Sequence, residues 1–521
     1  MIFFFWGCNH VSLPKEALWV KEYPSVFPSY TTDIVIPFNI APLNFKLLNP
    51  AKRVYVGAFS FNTQKQVVDS LIVKGRGSDI NFPLKKWKKL LACARGSYIE
   101  IRVFVQEKEL WIRYQPLRWY VAKEAIDPYL MYRLSISEDY TYNHITMEQR
   151  SLENFESKEL LDNYLMENNC MNCHASHKND ANQMLVHLRG KISGTLIIRN
   201  GKAEKIDIPA GYPKVRLVYP SWYPDGSRIA FSTNRVFSRH FSNGLIKTLH
   251  SLDTLGDIVV YNIDKNTLYS SEELTDSTFD DVFPCWSANG RTLYFCRTIS
   301  LKRDDFAWGE DLVDSLRANL MQISYDPVSE TFSNLKLAYD FSKDGKSVSM
   351  PQLSPDGKFM IVSVLPNTTF PVLHKGDLYL IRLPAGEDSL QGSSTVELQA
   401  EPIEILNTPF SETFHNFSSN GRWMVFSSNR MNGASATPFI AYLDTKGIFH
   451  KPFALPQKSG NFYKANLKAF LFPYFTVNTC TYNPRKLAKI AKGKSKFPNM
   501  SYFEKDFSPN TKKLKDEVSG H

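Results

Sequence analysis

The sequence predicts a mainly β chain: an N-terminal β-sandwich, a short helical segment, and then a set of repeated small sheets. Three observations predict it. Turn formers are abundant, with 25 Gly and 29 Pro, alongside 36 Phe, 25 Tyr and 9 Trp that favour pleated, half-buried surfaces. Short apolar runs alternate with turn signals through most of the chain. One turn-centred unit recurs four times. The 521 residues, 43% hydrophobic and 22% charged, can bury several cores, which excludes a disordered chain.

Residues 24–122 read as the sandwich-like domain. Its strand signals include Asp33 to Pro37, Arg53 to Phe59, Tyr98 to Val105 and Leu110 to Tyr114. The Lys-rich stretch Leu84 to Leu91 reads as one short helix. Residues 123–193 change character and read as a helical linker. Ser157 stands where an N-cap would, and Leu160, Leu161, Tyr164 and Leu165 follow at helical spacing up to Asn168.

The repeat runs through residues 194–465. Its turn half reads Y-P-S-W-Y-P-D-G from Tyr219 and F-P-C-W-S-A-N-G from Phe283. It returns as M-P-Q-L-S-P-D-G from Met350 and F-H-N-F-S-S-N-G from Phe414. The other half is a hairpin, as in Thr195 to Ile208, Asp257 to Tyr269 and Leu320 to Leu335. Successive turns lie about 60 to 70 residues apart, room for one four-stranded sheet with its loops. Sheets repeated in this way make a β-propeller, here of five or six blades. Asp225 and Asp356 are turn residues, and the pair Asp280 and Asp281 is expected to face solvent.

The chemistry-bearing motif is Cys170-Met171-Asn172-Cys173-His174, a C-x-x-C-H sequence. This spacing suits covalent haem c. Two thiols one helical turn apart add to the haem vinyl groups, and the next residue offers an imidazole to the iron. On this reading Cys170, Cys173 and His174 hold haem c, with His174 the proximal iron ligand. His187, or alternatively Met184, is the candidate sixth ligand. A zinc site through Cys170, Cys173, His174 and His177, or a redox dithiol, are the rival readings. The other cysteines read as structural. Cys93 and Cys480 are expected to be buried thiols, and Cys285 falls opposite Tyr294 across the Asn289-Gly290 turn. No hydrolase elbow, phosphate-binding loop or dinucleotide fingerprint occurs, and no catalytic residue is assigned.

The ends carry different signals. Residues 1–23 read as a truncated lipoprotein signal and leader, with Gly7 before a candidate lipidation site at Cys8. Residues 466–521 read as a basic tail. From Arg485 to Lys515 ten Lys or Arg face only Glu504 and Asp506, a large part of the net charge of +10. The basic residues form no nucleic-acid-binding motif, so nucleic acid is not an expected partner.

The repeats around Asp225-Gly226 and Asp356-Gly357 resemble TolB-like, tricorn-type propeller repeats. With N-I-A-P-L-N-F from Asn39, Y-L-M-Y-R-L from Tyr129, N-N-C-M-N-C-H from Asn168 and H-L-R-G from His187, the chain resembles a family of bacterial envelope lipoproteins. These combine an N-terminal β-domain, a haem c segment and a TolB-like propeller. The resemblance implies a periplasmic or outer-membrane protein anchored through lipid at Cys8, and haem iron at Cys170, Cys173 and His174. The expected function is electron transfer, with the propeller as a docking surface for an envelope or redox partner. The alternative is a non-enzymatic propeller scaffold with a structural or sensory haem. A haem peroxidase is the enzymatic variant.

Overall fold

The computed structural model describes residues 12–500 except 50, 76, 137–143, 209–215, 244–245, 302–313, 369–374, 385–397 and 434; side chains of 235–252 are also outside the description. Cys8 and residues 501–521 therefore lie outside the described residues. The chain is mainly β, built from many small sheets.

The first unit centres on a seven-stranded sheet whose long strands are Arg53–Phe61, Val67–Lys74 and Tyr98–Glu107. The helix Leu84–Ala94 packs against it. Trp87, Leu90, Leu91 and Ala94 form its buried stripe, at the i, i+3, i+4, i+7 spacing of one helical face. A small three-stranded sheet adjoins, formed by Val26–Phe27, Phe45–Leu47 and Asp79–Ile80. The unit read as sandwich-like is thus one large sheet with a helix against it and one small sheet. Cys93, expected to be buried, lies exposed on that helix.

Six small sheets follow, and each begins with a strand that lines a common cavity. These strands are β1 (Cys170–Ser176), β2 (Arg216–Trp222), β3 (Phe279–Trp286), β4 (Ser347–Leu353), β5 (Glu412–Phe417) and β6 (Lys468–Thr476). Neighbouring strands in this series touch in turn, and β6 returns to β1, so the contacts form a closed cycle. The sheets of β1 to β5 continue with strands that follow in sequence. The β6 sheet does not. Its other strands are Tyr129–Ile136, Thr146–Ser151 and Ser157–Asp162, more than 300 residues earlier, with Leu134 opposite Phe470.

Two expectations change here. Ser157–Asp162 is a strand, ended by a single 3₁₀ turn at Asn163–Met166, where a helix was expected up to Asn168. Pairing with Thr146–Ser151 overrides the helical spacing, and Ser157 donates to the Glu148 carboxylate (2.6 Å) instead of capping a helix. Residues 466–500 are not merely a basic tail. They supply β6 and the helix Pro484–Ala491, whose Leu487, Ala488 and Ala491 are buried.

The repeated turns form as read. The backbone N–H groups of Ser227, Arg291, Lys358 and Arg422 donate to the side chains of Asp225, Asn289, Asp356 and Asn420. The adjacent Gly226, Gly290, Gly357 and Gly421 take positive φ of 66° to 74°.

Candidate functional site: the central cavity and His174

Each lining strand carries a bulge, two residues facing one on its neighbour. In β2 to β6 these pairs are Tyr219-Pro220, Phe283-Pro284, Met350-Pro351, Phe414-His415 and Phe472-Pro473. The first of each pair has positive φ, 49° to 57°, an uncommon conformation for bulky residues. It carries its side chain inward to form an apolar collar. Tyr219 and Phe283 rings lie 4.1 Å apart, as do those of Phe414 and Phe472, and Met350 packs among them. In β1 the pair is Asn172-Cys173, and Asn172 has no positive φ. Its amide oxygen instead accepts from Arg133 (2.6 Å), whose guanidinium lies over the Phe472 ring.

From the collar to the opposite end, the six strands enclose a cavity of about 460 Å³. His174 sits in its wall. The side chain is buried, 7% exposed, and neither ring nitrogen has a hydrogen-bond partner among the described residues. The ring is edge-on to Phe472 and tilted against Tyr474, 5.2 Å away. Burial, aided by the Arg133 charge, pushes its pKa down to about 3, so the imidazole is neutral at physiological pH. Nearby, the Cys173 thiol is pushed up by burial and stays protonated, although Arg189 and the Tyr219 N–H oppose the shift. Cys285 is pushed up to about 12 by burial. His415 is neutral for the same reason, with Nε2 held 2.9 Å from the Ile361 carbonyl oxygen. At the mouth, His177 Nε2 lies 3.0 Å from the Pro224 carbonyl oxygen, beside the Trp222 ring.

The charged groups lie elsewhere. Lys178 is the single Lys, Arg, Asp or Glu lining the cavity among the described residues, and its side chain is exposed. Tyr219 donates from behind the collar to Asp253 (2.8 Å), whose pKa burial raises to about 6. Asp280 and Asp281, expected in solvent, are both buried. Asp280 accepts from the Gly256 N–H, and Asp281 is clasped by Arg297 through two 2.7 Å contacts.

The structure separates the residues that the C-x-x-C-H reading groups. Only Cys173 and His174 line the cavity. Cys170 and Met184 lie in an apolar core with Met131, Leu160 and Leu188, between the β6 and β1 sheets. His187 shares a strand face with Leu185, which packs on Leu217 and Ile229 of the β2 sheet. Its Nδ1 lies 3.0 Å from the Thr195 hydroxyl. On a helix, positions i, i+3 and i+4 share a face. Here the segment is a strand with a bulge at Asn172-Cys173, and it places Cys170 in the core beside Met131 and Leu160 and Cys173 beside Val218 and Tyr219. As folded, these residues do not fit a haem held by two thioether bonds with His187 or Met184 as second ligand. Among the described residues, no three His, Cys, Asp or Glu side chains are placed to hold a metal ion. Sequence reading missed the collar and His415. Their signal was available in the pairs that open the repeated turn motif, Tyr219-Pro220, Phe283-Pro284, Met350-Pro351 and Phe414-His415.

No protein-family model matches the chain, and the comparison with curated proteins gives no match. Solved structures do match over part of it. A puromycin-hydrolysing peptidase of Mycobacterium tuberculosis is 10% identical over 64% of this chain and 52% of its own, with a TM-score of 0.35. A GH74 enzyme of Niastella koreensis is 12% identical over 64% and 45%, with a TM-score of 0.33. Dipeptidyl peptidase 4 of Porphyromonas gingivalis is 12% identical over 59% and 45%, with a TM-score of 0.30. The chain spans about half the length of these proteins. Likenesses this distant say nothing about activity.

Proposed function

We propose that the six small sheets are the blades of a TolB-like β-propeller, closed by β6, and that the chain is an envelope binding protein whose ligand enters the central cavity. The observation that carries the binding reading is the cavity itself: about 460 Å³ enclosed by six strands and lined by apolar and uncharged polar side chains, with Lys178 the single charged residue in its lining among the described residues. The protonated thiols of Cys173 and Cys285 favour binding over nucleophilic chemistry. Diethyl pyrocarbonate, followed by peptide mass mapping, tests the site on the native chain. His177, in the cavity lining, should react while His187 reacts only after unfolding. Equal protection of both would refute an open cavity mouth.

The second reading is electron transfer through haem c. It rests on the C-x-x-C-H motif and on the available His174 imidazole. It requires β1 to be rebuilt so that the Cys170 sulfur leaves its apolar core. A band that stains for haem on a denaturing gel, after secretion from a host that attaches haem c, would favour this reading.

A further inference from the structure

We propose that the outer face of the N-terminal seven-stranded sheet, with its exposed edge at Leu18 and Trp19, rests on the surface of an anionic lipid bilayer. The proposal is independent of the cavity and of what binds there.

Register sets the face. One side of the sheet is core, where Val54, Val56, Ile101 and Val103 are buried with the helix Leu84–Ala94. Paired residues on neighbouring strands share a side, and the other side is built from aromatics and cations. Tyr55 stands opposite Phe104 and Lys74, Phe104 opposite Arg113, and Arg113 opposite Trp19. Farther along, Phe59 and Arg118 stand opposite Glu100, and Phe61 and Tyr120 opposite Tyr98. Arg53, Lys74, Arg102, Arg113 and Arg118 thus share a face on which Glu100 is the single carboxylate among the paired positions. Glu100 engages Arg102 (2.9 Å) and Arg118 (3.5 Å), and the face stays net positive.

The cations lie over the rings. Arg102 is 4.3 Å from the centre of the Phe59 ring, Arg118 4.8 Å from Tyr98 and Arg113 5.4 Å from Trp19. A guanidinium is weakly hydrated, and its planar fork matches phosphate oxygens. Trp and Tyr favour the headgroup level of a bilayer, where one end of the ring is apolar and the other wet. Lipid phosphates above and ring faces below suit both halves of this surface.

The edge decides between a bilayer and an anionic polymer. Leu18, Trp19 and Leu110 are 62%, 63% and 68% exposed, and Leu18 stands opposite Ile112, two residues from Leu110. Leu18 and Leu110 have neither a π face nor a hydrogen-bonding group, so stacking on bases gives them no role, whereas acyl chains take them up. The N-terminal chain arrives on the same face. Leu13 packs against Gly57, and the candidate acyl site at Cys8 lies five residues before it.

The test is co-sedimentation of the full chain, carrying Cys8→Ser so that no acyl chain contributes, with vesicles of phosphatidylcholine alone or mixed with phosphatidylglycerol. Binding to the mixed vesicles should be tighter by about tenfold or more. Arg53→Gln with Lys74→Gln should weaken it about twenty-fivefold, because each cation near an anionic surface is worth about fivefold. Trp19→Ser with Leu110→Ser should weaken it about tenfold. All four side chains are exposed, so circular dichroism should not change. No binding, or equal binding to both vesicle types, would overturn the proposal. Binding that both double variants leave intact would also overturn it and assign the contact to the basic residues from Arg485 onward. Binding to single-stranded DNA or polygalacturonate without binding to vesicles would overturn it in favour of an anionic polymer.

Discussion

The β1 sheet and its five companions share one backbone device and use it differently. In β2 to β6 the bulge pairs a bulky positive-φ residue with Pro or His and closes the channel with an apolar collar. In β1 the bulge holds Asn172 and Cys173, followed by an unpartnered His174. Five sheets build the collar, and the sixth departs from it. The C-x-x-C-H motif is then a local departure from the repeat, placed where the repeat turns inward.

The largest effect should come from breaking the collar. Phe414→Ala removes a buried ring from a packed site and should cost about 3–5 kcal/mol, read from the urea midpoint. The corresponding change in β1, Asn172→Ala, should cost less, about 0.5–1.5 kcal/mol, through loss of the hydrogen bond that Asn172 accepts from Arg133. Equal losses would erase the distinction between β1 and the other sheets.

The two motif cysteines should also differ. Cys170→Ala removes a sulfur packed against Met131 and Leu160 and should destabilise the chain by about 1 kcal/mol or more. Cys173→Ser should cost less, because a hydroxyl can take over the hydrogen bond from the Tyr219 N–H. Thermal unfolding at pH 7 measures both.

The smallest effect is a pH dependence. Burial lowers the His174 pKa to about 3 from an ordinary value of 6.5. Between those values the unfolded chain binds the extra proton, so His174 makes stability fall as pH drops from about 6.5 toward 3. His174→Leu should remove about one proton's worth of that slope, seen in urea midpoints from pH 4 to 7. An unchanged slope would place His174 in solvent.

Much of this fold is legible in local sequence. The Asp-Gly and Asn-Gly turns, the hairpins, the register of Cys285 opposite Tyr294 and the short helix near Leu84 all follow from spacing and turn chemistry. What local sequence hides is long-range pairing. Nothing near Lys468–Thr476 announces that its partner is Tyr129–Ile136. The segment from Ser157 illustrates the same limit. Leu160 and Leu161 suit one side of a helix, and they suit equally a strand buried on both faces. The candidate site was half legible for that reason. Cys173 and His174 line the cavity, but the motif's meaning depended on a period of 3.6, and the chain there is a bulged strand.

The most direct test of that placement is the intact mass and absorption spectrum of the chain, secreted from a host that attaches haem c to a control protein. The account predicts the mass of the bare polypeptide, no Soret band, and Cys170 and Cys173 both alkylated only after denaturation. A mass raised by one haem, with a Soret band that survives denaturation, would contradict it.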